Sequence, residues 1–211
     1  MEALSITAIT LVLSAVLSVY LTKNYLQNKT ASLMFWSSGM WLFTVGVFME
    51  VLFAANFAPQ MLVDLYLFIV ALIVEALALG SIQLVASKRK KAVYLYFCII
   101  TTAALAIVLA LTKNAGIIKD YVAYGNPSIA VILASSLITF PASLVLAGVA
   151  LISYLKRRNM KMLSILAGVI VVVIAGTLYI ASFPSFLYIS EFIGIVLLWF
   201  GFYSTGHGKR R

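Results

Sequence analysis

The chain has 211 residues, of which 64% are hydrophobic and only 10% charged, against about 25% charged in ordinary soluble domains. So few polar residues cannot cover a water-soluble fold, and the composition selects a bilayer as solvent. Spanning helices need roughly 20 apolar residues each, about 140 for seven, which leaves short loops and no room for an attached catalytic or DNA-binding domain.

The first apolar segment, about Leu4–Thr22, follows Glu2. It lacks a basic leading region and a small-residue cleavage pattern, so it reads as a retained helix rather than a signal peptide. Six more follow at about Ala31–Phe53, Met61–Ala86, Ala92–Leu111, Ile129–Leu155, Met162–Ser182 and Phe186–Tyr203. The breaks between them are polar, basic or marked by proline (Pro59, Pro127, Pro184). The runs are apolar on all sides, without the alternation of a membrane β-barrel, and an exposed strand edge would strand backbone groups in hydrocarbon. The expected fold is all-α: residues 1–211 form one polytopic domain of seven transmembrane helices.

Orientation follows from the basic residues. Lys23 and Lys29, then Lys88, Arg89, Lys90 and Lys91, then Lys156, Arg157, Arg158 and Lys161, and finally Lys209, Arg210 and Arg211 fall on one side. Only Lys113 and Lys119 fall on the other. The positive-inside rule puts the N-terminus outside and the C-terminus in the cytoplasm of a multi-pass cell-membrane protein. The clusters Lys88–Lys91 and Lys156–Arg158 are expected to meet anionic lipid headgroups, not nucleic acid, despite the net charge of +9. The bilayer is thus the first partner. The sequon Asn28-Lys29-Thr30 falls inside and is expected to stay unmodified.

Leu17-Ser18-Val19-Tyr20-Leu21-Thr22-Lys23 resembles Leu151-Ile152-Ser153-Tyr154-Leu155-Lys156 in the fifth segment. Both segments run outside to inside, which suggests two parallel three-helix repeats joined by a fourth helix. Pro141 is expected to kink the fifth helix. Glycines 39, 46, 148, 168, 176, 194 and 201 lie within helices, where small residues let helices approach closely. Cys98, the one cysteine, reads as a small buried hydrophobe.

The informative residues are the acids. Glu2 and Asp120 sit in wet regions, but Glu50, Asp64, Glu75 and Glu191 lie within or at the ends of helices. A carboxylate in the bilayer costs at least about 2.5 kcal/mol, so each needs a partner, a proton or a water-filled cavity. At about 1.5 Å per residue, Glu75 lies roughly 20 Å into its helix and Glu191 about 8 Å into its own. Asp64 and Glu75, eleven residues apart, share a helix face. Asp64, Glu191 and Glu50 are expected to converge on an outward acidic pocket with Glu75 deeper on the same track. No lysine or arginine lies at mid-depth, so a proton or a bound cation is expected there. The alternative for Glu75 is a protonated side chain bonding a neighbouring helix, and for Glu50 and Asp64 an ordinary interfacial acid.

Val63-Asp64-Leu65-Tyr66-Leu67-Phe68 through Val74-Glu75-Ala76-Leu77 resembles the third helix of microbial rhodopsins, where a counterion acid precedes a proton-donor acid by eleven residues. Ser190-Glu191-Phe192-Ile193-Gly194-Ile195 resembles their last helix, where an acid lies four residues before the retinal-binding lysine. The resemblance covers about thirty residues and implies carboxylate roles for Asp64, Glu75 and Glu191. Three departures limit it: Ile195 occupies the lysine position, Met61 replaces an arginine, and Gly176-Thr177-Leu178-Tyr179 lacks the usual tryptophan and tyrosine–proline pair. Retinal and light-driven pumping therefore do not carry over, and no cofactor is expected.

No enzyme is expected either. The one histidine, His207, lies in the tail, which leaves no zinc or haem ligands and no base beside a hydroxyl at depth. The reading is a small transporter, channel or sensor with a proton- or cation-linked pocket. The alternative is a non-catalytic accessory subunit that packs in a larger membrane complex or a homo-oligomer. A sensory module signalling through a partner protein ranks third.

Overall fold

The computed structural model describes residues 2–112, 118–119, 122–123, 127–157, 164, 167–168, 171 and 184–206. Four helices follow one another across short turns: α1 (Glu2–Asn28), α2 (Ala31–Ala54), α3 (Gln60–Val85) and α4 (Lys88–Leu111). A small antiparallel hairpin comes next, β1 (Ile118–Lys119) and β2 (Val122–Ala123), within what the sequence reads as plain loop. Then come α5 (Ile129–Arg157), continuous through Pro141, and α6 (Pro184–Gly206). α1 to α5 each contain a stretch long and apolar enough to cross a membrane, and α6 carries a shorter described apolar stretch, Ile189–Phe200. The protein is a multi-pass membrane protein. The predicted segment Met162–Ser182 lies outside the described residues apart from Ser164, Ala167, Gly168 and Val171, which are helical.

Two helix ends differ from the sequence expectation, for one reason. α1 continues past Thr22 to Asn28, and α4 begins at Lys88 rather than Ala92. Backbone hydrogen bonding does not stop at the hydrocarbon edge, and long basic side chains can lie along a helix while keeping their charge in the wet interface. Lys88, Arg89 and Lys90 are exposed, whereas Lys91 turns back and donates from Nζ to the carbonyl of Gln83 at 2.7 Å. That caps an otherwise unpaired carbonyl in the last turn of α3 with a positive charge, where the helix dipole favours one. Lys156 and Arg157 end α5, while Arg158 lies outside the described residues.

The turns are made by local chemistry. Asn56 adopts a left-handed φ of 62° after α2, a conformation that asparagine tolerates better than most side chains. Its N–H donates to Phe53 O and that of Phe57 to Leu52 O, both at 2.9 Å, which closes the helix end. Pro59 then starts α3, where its missing N–H costs nothing. Thr30 caps α2 with a side-chain bond from the Leu33 N–H.

α3 is the centre of the bundle, packed against α2, α4 and α5, while α1 packs between α2 and α6. Leu17, Leu21, Met40, Phe53, Leu105, Ile138 and Ile195 form the driest part of the core. Leu133, Leu137, Phe140 and Leu144 make an exposed apolar stripe along α5. Large apolar groups therefore face outward at helical spacing, as lipid contact requires and water would penalise.

Between helices, specificity comes from small groups and hydrogen bonds. Ser32 Oγ donates to Gly80 O at 2.7 Å, and Trp36 Nε1 donates to both Leu77 O and Ser81 Oγ at 3.2 Å. Gly80 is the closest approach: a Cβ there would run into the Trp36 indole. Gly148, by contrast, has open space where a Cβ would stand. Gly80→Ala is expected to displace Trp36 and destabilise the bundle by about 1–3 kcal/mol. Gly148→Ala is expected to be neutral or to stabilise by up to about 1 kcal/mol. Thermal unfolding of both variants in one detergent checks the contrast.

Candidate functional site

The four intramembrane acids fall into three environments. Asp64 stands in the first turns of α3, half-buried, and accepts from Gln60 Nε2 at 3.1 and 3.2 Å. That is an i, i+4 pair at a helix end, an environment close to that of a soluble protein.

Glu75 lies mid-helix in α3, buried, and faces α4. Thr102 Oγ1 donates to its Oε2 at 2.6 Å, and Thr101 Oγ1 lies 3.5 Å from its Oε1. The Cys98 thiol is a third neighbour on the same helix. Both carboxyl oxygens therefore have a hydroxyl neighbour on one adjacent helix. Thr101 also donates to the carbonyls of Phe97 and Cys98 at 3.0 and 3.1 Å, which leaves Thr102 as the committed partner. This geometry joins α3 to α4 and does not reach Glu50 or Glu191.

Glu50 and Glu191 meet. Glu50 lies one turn from the end of α2 and is 2% exposed. Tyr66 Oη, from α3, donates to its Oε1 at 2.7 Å. The Phe53 ring meets the Tyr66 ring edge-on at 5.4 Å and seals the phenol from the turn. Glu191, from α6, brings its carboxyl against that of Glu50, close enough for one hydrogen bond between them once either is protonated. Glu50 Oε2 is buried with no hydrogen-bond partner among the described residues. Glu191 itself is half-buried, so the pair has one sealed and one more open member. No lysine or arginine occurs in the sequence within two helical turns of either acid.

Chemically, two carboxyls in contact away from water cannot both stay charged without a cation between them. The arrangement can hold a proton or accept a small hard cation. Among the described residues there is no cluster of three or more His, Cys, Asp or Glu able to hold a metal ion. Ile195, one turn beyond Glu191, is fully buried in the core.

The sequence reading missed Tyr66, Thr101 and Thr102. A signal for them existed. In an antiparallel helix hairpin, residues equidistant from the turn meet. Glu50 and Tyr66 are symmetric about Ala58 in the Asn56–Pro59 turn, and Glu75 and Thr101 about Lys88, one residue past the α3–α4 turn. The hydroxyl face of α1 was missed in the same way. Thr7, Thr10, Ser14 and Ser18 recur at helical spacing and are all 2% exposed or less. Ser18 and Thr44 share a 3.0 Å hydrogen bond across the first turn.

Thr102→Val removes the shorter of the two bonds to Glu75 and is expected to cost about 1–2 kcal/mol. Tyr66→Phe leaves Glu50 with neither oxygen served by a neutral donor and is expected to cost about 1–3 kcal/mol. Thermal midpoints of the two variants in detergent, with and without lipid, measure both losses.

No protein-family model, curated protein or solved structure matches the chain.

Proposed function

We propose that the protein is a seven-span cell-membrane protein, N-terminus outside, that acts as a small transporter, channel or sensor through a proton- or cation-linked site at Glu50 and Glu191. One observation carries this reading: two facing carboxyls from α2 and α6, buried near one end of the bundle with no basic residue nearby and one oxygen without a donor. Such a pair is costly in a bilayer, and an apolar core residue at either position would serve the fold better.

The direction of α6 supports seven crossings. Trp199 donates from Nε1 to Leu13 O at 3.0 Å and stacks on Tyr20, while Glu191, two turns earlier, meets Glu50 near the far end of α2. α6 therefore runs parallel to α1, an orientation that favours an odd number of spans. The helical residues Ser164 and Gly168 lie against Leu197 and Gly194 respectively, as an antiparallel neighbour of α6 would. The basic turns then gather at one end, taken as cytoplasmic, and the Glu50–Glu191 pair opens toward the other.

Asp64, at the same outer end, belongs to the mouth of the site. Glu75 is read as a helix clamp rather than as its inner station, because its partners are on α4. The site is non-catalytic, and it needs no retinal or other cofactor. Lys88, Arg89, Lys90, Lys156, Arg157 and Arg158 are read as headgroup contacts.

The second reading is an accessory subunit of a larger membrane complex, or a homo-oligomer. It is favoured by the broad exposed apolar faces of α4 and α5. Purification in mild detergent separates the two readings by whether other membrane subunits come with the chain.

Ion flux into proteoliposomes tests the first reading. Glu50→Gln and Glu191→Gln are each expected to lower proton- or cation-driven flux at least about tenfold, while Glu75→Gln keeps most of it. Unchanged flux in both pair variants removes the proposal. For orientation, Ala55→Cys is expected to react with an impermeant maleimide on intact cells, and Lys90→Cys only after permeabilisation. Cys98 is buried and should stay silent.

A further inference from the structure

We propose that Glu50 and Glu191 hold a single proton between them, so that the species this site takes up and releases is a proton and not a metal cation. This rests on the reading of the pair as the functional site and names its ligand.

The geometry states the shortage. Tyr66 supplies one donor, to Glu50 Oε1. Glu50 Oε2 is buried without a partner in a residue 2% exposed. The Glu191 carboxyl lies against the Glu50 carboxyl. One proton on either acid supplies the missing donor, removes one of two facing negative charges, and leaves both carboxyls hydrogen-bonded. A second proton would neutralise the carboxylate that the Tyr66 hydroxyl already serves as a donor, and a hydrogen bond of that kind favours the charged form. An unprotonated pair would leave two charges in contact in a low-dielectric slab.

A metal cation fits worse. Sodium- and calcium-type sites need about six oxygen ligands. Among the described residues no third His, Cys, Asp or Glu joins the pair, and Tyr66 points its hydrogen, not an oxygen lone pair, at Glu50.

The other titratable groups around the pair are few. α1 presents only hydroxyls among its described side chains at this level, and α3 presents Tyr66 and, nearer the end, Asp64. β2 packs against α2, and its hairpin carries Lys119 and Asp120, one charge of each sign, whose side chains lie outside the described residues. Tyr188 on α6 is likewise outside the described side chains.

In the exchange only O–H bonds change. The proton passes from one carboxyl oxygen to the other. Glu50, sealed by Tyr66 and Phe53, acts as the inner acceptor.

Infrared difference spectroscopy of the full chain in liposomes, in H2O and D2O, counts the protonated carboxyls. The wild type is compared with the Glu50→Gln/Glu191→Gln double variant at neutral pH, with sodium exchanged for choline. The expected result is a loss of carboxylic C=O intensity equal to one acid per chain, the same in either salt. Loss of two acids shows two separately protonated groups and overturns the proposal. Loss of none shows an ionised pair and also overturns it. Should the double variant fail to fold, solid-state NMR of wild-type protein labelled at the glutamate side-chain carboxyl gives the same count. A single proton gives either one acid and one carboxylate resonance or two resonances between those positions, and two acids or two carboxylates overturn the proposal. One shared proton without flux keeps this inference and removes the transport reading. Flux with zero or two protonated acids does the reverse.

Discussion

In hydrocarbon there is no water to hydrogen-bond a polar group, so every buried donor and acceptor has to find its partner inside the protein. The same solvent removes the apolar driving force between helices, since lipid tails serve leucine as well as another helix does. What then holds one helix to the next is close packing around small residues and a limited number of hydrogen bonds. The α2–α3 contact shows both together. Gly80 lets the Trp36 indole lie on the α3 backbone, and from there the indole N–H reaches Leu77 O and Ser81 Oγ. A methyl group at that one position would separate the helices and break the bonds that the contact allows.

The same rule distinguishes the acids. Glu75 is as deep as a side chain in α3 can be, yet it is served by Thr102 and approached by Thr101, and α4 carries both. Its chemistry is complete within one helix pair. Glu50 is nearer the end of its helix but less satisfied, with one phenol donor, one orphan oxygen and a second carboxyl beside it. Depth alone, which singles out Glu75 in the sequence as the acid nearest mid-membrane, is therefore a poor guide. The useful quantity is the difference between what a buried group needs and what its neighbours supply, and that difference is concentrated at the Glu50–Glu191 contact.

Much of this was legible in the sequence, and the reason is geometric. Lengths of apolar runs gave the boundaries of α2, α3 and α5 almost to the residue, because hydrocarbon thickness sets them. They failed at Lys23–Asn28 and Lys88–Lys91, where helices extend into the interface and composition no longer reports on conformation. Contacts within a hairpin were legible in principle. Short turns fix the register, so Ser18 with Thr44, Glu50 with Tyr66, and Glu75 with Thr101 pair about Ala31, Ala58 and Lys88, each at or within a residue of its turn. Contacts between helices distant in the chain cannot be read this way. Nothing local in the sequence joins Glu191 to Glu50 rather than to Asp64 or Glu75. A shared helix face places Asp64 and Glu75 on one side of α3, but it does not say which other helix each meets.

The hydroxyl face of α1 shows how a buried polar group can be satisfied without serving a neighbouring acid. A serine or threonine in a helix can turn its hydrogen back to a carbonyl three or four residues earlier, and Thr10, Ser14 and Ser18 all do so. A hydroxyl engaged in this way is a satisfied group on a buried face, and its hydrogen is unavailable to a neighbouring acid. α4 behaves differently at Glu75, where Thr102 directs its hydrogen across to the carboxylate and makes it a structural clamp. Had α1 done the same for Glu50 Oε2, the second acid would have had nothing to contribute and the site would repeat the α3–α4 contact. Among the described residues α1 turns its donors back on itself, so under the proposed reading the missing hydrogen is a proton held by the carboxyls themselves.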